Sequence, residues 1–118
     1  MVPDINPMPQ IGPEVFLQVE MRVGRILEVD DVPAARKPSY RLRIDFGPFG
    51  QKLSSAALRP WYAKEELVGR LVIAVVNFPP RQVATTRSEV LVLGAVQADG
   101  RVVLLRPEAE SALGARVA

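Results

Sequence analysis

Three short stretches of this 118-residue chain carry side chains suited to holding an anion. In Arg36-Lys37-Pro38-Ser39-Tyr40, two adjacent cations are stiffened by a proline, so they can meet successive phosphates while Tyr40 offers a ring for stacking. In Asn77-Phe78-Pro79-Pro80-Arg81, an amide side chain ends an apolar run and two prolines stiffen the loop that presents the arginine. An arginine held on a stiff loop loses less entropy when it binds phosphate or stacks on a base, which makes Arg81 the first candidate for a ligand contact. In Thr85-Thr86-Arg87-Ser88-Glu89, three hydroxyls and a cation can bind a sugar-phosphate backbone. Each stretch also has a plain structural use. Tyr40 falls in an alternating run that sends it to the core, and that reading is preferred for it. Ser54-Ser55, just after Lys52, can donate to phosphate, but serine pairs at strand ends more often satisfy nearby backbone groups.

The chain contains no histidine and no cysteine. This excludes a cysteine nucleophile, a Ser-His-Asp relay, a thiolate cluster and an imidazole-ligated zinc, since each needs those side chains as bases or donors. A Ser-Lys pair, a carboxylate pair or a carboxylate-bound hard metal remains formally open. The pairs Asp30-Asp31 and Glu65-Glu66 are sequence neighbours, so on a strand or helix their members do not converge on one point. No catalytic residue, cofactor or metal site is expected.

The net charge of +2 hides an uneven distribution. Residues 36–87 hold ten basic side chains against three acidic ones, leaving the two ends together negative. An electropositive middle is what phosphate neutralisation on a nucleic acid requires, although arginine-rich solvated faces give the same pattern.

The elements that must position these residues are short strands. Prolines at 3, 7, 9 and 13 make residues 1–18 an extended arm with at most a turn of helix, and Phe16 and Leu17, with Val19 just after it, can dock the segment on the body or on a second subunit. The domain proper is taken as residues 19–118. A first strand runs from Met21 to Val29, twisted or bulged around Gly24 and stopped by Asp30-Asp31. Tyr40, Leu42, Ile44 and Phe46 alternate with polar residues in a second strand, and the Gly47-Pro48-Phe49-Gly50 turn returns a third over Gln51 to Ala56. Pro60 stands near the start of a short helix, Trp61 to Val68, closed by Gly69. Leu71 to Asn77 is a buried fourth strand, and Pro79-Pro80 opens a loop as far as Thr86. Glu89 to Val96 is a fifth strand, Arg101 to Leu105 pairs back through Asp99-Gly100, and a polar, alanine-rich tail ends the chain. The fold class is therefore all-β: an OB-fold, that is, a five-stranded barrel, with a short helix between strands three and four and an added C-terminal hairpin. A β-sandwich fits the interposed helix and low strand count less well. The proline-bearing N-terminus lacks a basic export-signal region, and the longest apolar run, Leu71 to Val76, falls far short of the roughly 20 residues of a membrane span. No membrane insertion is expected, and a cytoplasmic location follows by default.

The segments Met21-Arg-Val-Gly-Arg-Ile26, Ala35-Arg-Lys-Pro38, Leu42-x-Ile-Asp-Phe-Gly47, Ser54-Ser-Ala56, Glu65-Glu-Leu-x-Gly69, Val75-Val-Asn-Phe-Pro-Pro-Arg-Gln82 and Ser88-Glu-Val-Leu-Val-Leu-Gly94 occur in this order. Together they resemble CsaA-type members of the tRNA-binding-domain family from about Val19 onward. The resemblance implies a homodimeric OB-fold. It relates the chain to the C-terminal appendices of methionyl-tRNA synthetases, which bind tRNA by shape, and to CsaA-type chaperones of protein secretion, which bind unfolded or precursor polypeptides. Carried onto matching positions, it implies RNA contacts at Lys37, Ser54, Asn77, Arg81 and Ser88, with Arg36 and Lys52 as supporting charge. The synthetase appendices read Ser-Glu-Gly-Met where this chain has Ser88-Glu89-Val90-Leu91, a departure that points to the CsaA subgroup.

Overall fold

In the computed structural model the described residues are 6–33 and 35–118. The expectations for the first five residues of the arm therefore lie outside them. After a short helix α1 (Pro13–Leu17), the chain enters an 11-residue strand β1 (Met21–Asp31). β2 (Tyr40–Asp45) and β3 (Gln51–Ala56) follow as a hairpin around a one-turn 3-10 segment, Gly47–Phe49. A one-turn helix α2 (Lys64–Leu67) leads to β4 (Leu71–Val75). The remaining strands are β5 (Arg81–Val83), β6 (Thr86–Ser88), β7 (Leu91–Val92), β8 (Gly94–Val96) and β9 (Val102–Leu104).

The main sheet is antiparallel and runs β3-β2-β1-β4-β7. β1 serves both halves of it: Met21 to Arg25 pair with β4, and Arg25 to Asp31 pair with β2. The change of partner needs a bend, and a register shift between Ile26 and Glu28 supplies it. The irregularity is thus at Leu27 rather than at Gly24. Gly24 is instead a close-approach position, where an added Cβ would come 2.5 Å from Ile44 Cγ2 and 2.7 Å from Phe46. Asp30 and Asp31 also do not stop the strand, because they stay in register opposite Arg41 and Tyr40.

The alternation read in the second strand holds: Tyr40, Leu42, Ile44 and Phe46 are all buried. They meet Ile26, Leu67 and Val72 in one core, where each large apolar side chain removed from water contributes about 1.5–3 kcal/mol. Two tyrosines tie the outer elements to this core. Tyr40 Oη donates to the carbonyl of Tyr62 at 2.8 Å, and Tyr62 Oη accepts the N–H of Leu104 in β9 at 3.1 Å.

The barrel closes by one backbone hydrogen bond and two side-chain ones rather than by a ladder. Glu89 N–H donates to Leu53 O at 2.8 Å, the Glu89 carboxylate accepts the N–H of Leu53 at 3.1 Å, and Ser88 Oγ accepts the N–H of Ser55 at 3.0 Å. These bonds satisfy backbone groups on the outer edge of β3 that would otherwise be open to pairing with another chain.

Three further expectations are corrected. The helix is shorter than Trp61 to Val68: it starts at Lys64, where the Glu66 carboxylate accepts the N–H of Ala63 at 2.8 Å, and Gly69 ends it at φ +86°. The segment after Pro79-Pro80 is not an open loop. The prolines lack donors, but Arg81 to Val83 pair with Thr86 to Ser88 around a tight turn in which Ala84 takes a positive φ of 51°. The fifth strand is divided, β7 staying in the barrel beside β4 while β8 leaves it to pair with β9. The polar, alanine-rich tail pairs back onto the barrel: Gly114 N–H donates to Val23 O and Val117 N–H to Met21 O, covering the edge of β1 that β2 leaves after the bulge.

Candidate nucleic-acid interface

The register of β1 against β2 sorts the basic residues into two groups. Arg41 faces Asp30 and pairs with it at 2.9 Å, and Arg43 reaches Glu28 at 3.7 Å. Asp31 takes both Lys64 at 3.0 Å and Arg59 at 3.7 Å. The Asp31 carboxylate beside it holds the Lys64 ammonium above the ordinary lysine value. Arg70 lies over the Tyr62 ring, 5.2 Å from its centroid. The carboxylates of Glu28, Asp30 and Asp31 come from outside the basic segment 36–87, so the excess counted along the chain is larger than the excess displayed in space.

Arg36, Lys37, Lys52, Arg81 and Arg87 have no ion pair among the described residues. Three of them come together. Arg36 and Lys37, on the loop entering β2, face Arg81 at the start of β5 across an open cleft of about 550 Å³, whose walls include Ser55 and Gln82. Arg81 also borders a smaller hollow of about 220 Å³ beside Phe78 and Ser88. Three cations around one open cleft are suited to successive phosphates of a folded backbone, because no protein carboxylate competes for them.

The other residues implied by the resemblance are placed differently. Ser54 is 1% exposed and its hydroxyl donates to Val90 O at 2.9 Å, so it offers nothing to an external ligand. Asn77 is spent on the N-terminal segment: its Oδ1 accepts the N–H of Glu20 and its Nδ2 donates to Gln18 O. Ser88 lies at the smaller hollow, with its hydroxyl engaged in barrel closure. Lys52 shares the Ser54 face of β3 and does not line the cleft, whereas Ser55, one residue on, does. Ser55 was recoverable from sequence: in a strand paired with Tyr40 to Asp45, the serine opposite buried Leu42 turns inward and its neighbour turns outward. Gln82 carried no comparable signal, since its place depends on the β5–β6 hairpin.

Among the described residues no group of three or more acidic side chains is arranged to hold a metal ion, and no helix is long and apolar enough to cross a membrane.

Comparison with known proteins agrees with the fold. The crystal structure of the chaperone CsaA from Bacillus anthracis str. Ames superposes with a TM-score of 0.88 at 44% identity, covering 93% of this chain and all of that one. The CsaA chaperone of Picrophilus torridus gives 0.86 at 47% identity, over 92% of this chain and all of that one. A methionine–tRNA ligase of Porphyromonas gingivalis is 42% identical over 104 residues, which is 88% of this chain but 15% of the ligase. The chain thus spans about a seventh of that relative. The family model described as "Putative tRNA binding domain" matches residues 21–116. With that match spanning the barrel, the cleft and the returning tail, the chain belongs to the tRNA-binding-domain family.

Proposed function

We propose that this protein is a non-catalytic tRNA-binding module that works as a homodimer in the cytoplasm and recognises tRNA by shape and phosphate contacts. The observation that carries the reading is the cleft in which Arg36, Lys37 and Arg81 stand free of carboxylate partners. Recognition by shape needs phosphate contacts spread over a surface rather than a helix that reads base edges, and a small barrel with basic loops supplies the former. Two copies would present two such clefts to one folded RNA and gain through effective concentration. The apolar side chains of α1, with Leu17 65% exposed, favour a second copy as their cover. The test is tRNA retention on filters over a range of salt: affinity falls steeply with salt, and Arg81→Ala lowers both the affinity and the slope, the latter by about one. Salt-independent binding, or an Arg81→Ala variant that behaves as the parent, would sink the proposal.

A second reading is a chaperone that takes unfolded or precursor polypeptide, and the CsaA neighbours favour it. Phe78, 49% exposed beside Arg81, and Phe49 and Phe16 are the side chains such a segment would meet. Suppression of aggregation of a model substrate, relieved by excess tRNA, is the expected result if one surface serves both ligands. No suppression at equimolar dimer removes this reading.

A further inference from the structure

Beyond the basic cleft, a second open groove of about 440 Å³ shares one wall with it. Lys37 lines both. The rest of the second groove is of a different character: Pro38 and Pro60 form stiff sides, Val96 and Val102 come from the C-terminal hairpin, and Trp61 presents an aromatic face. Trp61 is 40% exposed, and Phe16, Phe49 and Phe78 are exposed elsewhere on the surface, but among these four rings it alone lines the groove that Lys37 shares with the basic cleft. It stands in the turn before α2, outside the core that Leu58 and Leu67 enter on either side of it.

An exposed ring between two prolines, next to a free ammonium, is a stacking platform with a backbone anchor at its edge. Single-stranded or looped RNA splays its bases onto such surfaces, and stacking is indifferent to which base arrives because every base has a π-face. A regular duplex has no base to offer, its bases being stacked on one another. We propose that the Trp61 groove accepts one unpaired base of an RNA whose phosphates lie along Arg36, Lys37 and Arg81. This rests on the nucleic-acid reading of the basic cleft and adds a preference that phosphate contacts alone do not supply: RNA bearing unpaired nucleotides is favoured over duplex of equal charge.

Trp61 is the only tryptophan in the chain, so its fluorescence reports this groove directly. The unmodified protein is titrated with a short RNA hairpin carrying a single-stranded overhang and, separately, with a blunt duplex of the same number of phosphates, while filter retention measures binding independently. Quenching by the overhang RNA at saturation, with little change from the blunt duplex, is expected. Trp61→Ala should weaken the overhang RNA by about 5-fold to 100-fold and leave the duplex unchanged. Trp61→Phe should restore most of the loss, and all three proteins should keep the same salt slope, since that slope counts phosphates and not bases. Retained RNA with unmoved fluorescence, or equal quenching by the duplex, overturns the stacking site while leaving the basic cleft standing. Absence of retention of either RNA at low salt removes the nucleic-acid reading itself, and with it this site. Quenching by an apolar peptide but by neither RNA also overturns the proposal, assigning the groove to polypeptide.

Discussion

Two regions of this molecule are about equally rich in cations and differ in what faces them. Along the β1–β2 ladder and the start of α2, Arg41, Arg43, Arg59 and Lys64 stand against Glu28, Asp30 and Asp31. Around the cleft, Arg36, Lys37 and Arg81 have no such partners among the described residues. Exposed ion pairs contribute about 0–1 kcal/mol to stability, so the first region gains little from its pairing in energetic terms. What the pairing does is cancel the field there, leaving the cleft as the place where an anion meets uncompensated charge. The position of a cation along the chain is therefore a poor guide to its use; the identity of its cross-strand neighbour decides it.

The sharpest test of this contrast is to remove charge from each region in turn. At about 0.1 M salt each lost phosphate contact weakens binding by roughly 8-fold, so replacing Arg36, Lys37 and Arg81 together by alanine should reduce tRNA affinity about 100- to 1,000-fold and lower the salt slope by about three. The double replacement Arg41→Ala and Arg43→Ala should change affinity by no more than about 3-fold. Equal losses from both sets, read by filter retention, would erase the distinction.

The converse experiment converts one region into the other. Glu28→Gln, Asp30→Asn and Asp31→Asn together free four cations, and the triple variant should bind RNA up to about 10-fold more tightly at low salt, with a steeper salt slope. A variant that folds and binds as the parent would mean the ladder cations are oriented away from any ligand.

A smaller effect separates the two serines of β3. Ser54→Ala removes the buried hydroxyl that donates to Val90 O, and should cost about 1 kcal/mol in urea unfolding with unchanged tRNA affinity. Ser55→Ala, at the cleft wall, should leave stability within about 0.5 kcal/mol, so that any loss it causes is in binding.

The smallest effect is a pH dependence at Lys64. Its folded-state value is raised by Asp31, so the stabilisation it supplies is fully present below the unfolded lysine value of 10.5 and is lost as pH rises through the higher folded value. Chemical denaturation followed across that alkaline window should show a slight loss of stability that Asp31→Asn abolishes.

The parts of the fold that were legible are those governed by local periodicity. The alternation from Tyr40 to Phe46, the turn at Gly47–Phe49 and the apolar run from Leu71 each carry their instruction in adjacent residues. The failures share a cause. The bend at Leu27 exists because β1 changes partner there, the β5–β6 hairpin forms although two prolines precede it, and the tail pairs with β1 because the bulge leaves an edge bare. Each depends on an element distant in sequence. The site divides in the same way: Arg81 was marked by its two prolines, whereas the capture of Asn77 by Gln18 and Glu20 follows from docking of the N-terminal segment.

By itself the sequence determined that Tyr40, Leu42, Ile44 and Phe46 are inside, because apolar alternation on a pleated strand needs only neighbours two positions apart, and it determined that residues 36–87 hold ten cations to be distributed. The tertiary structure alone decided which of them stay free. Neutralisation requires a carboxylate within a few ångströms, and on a sheet that distance is set by the register between strands rather than by separation along the chain.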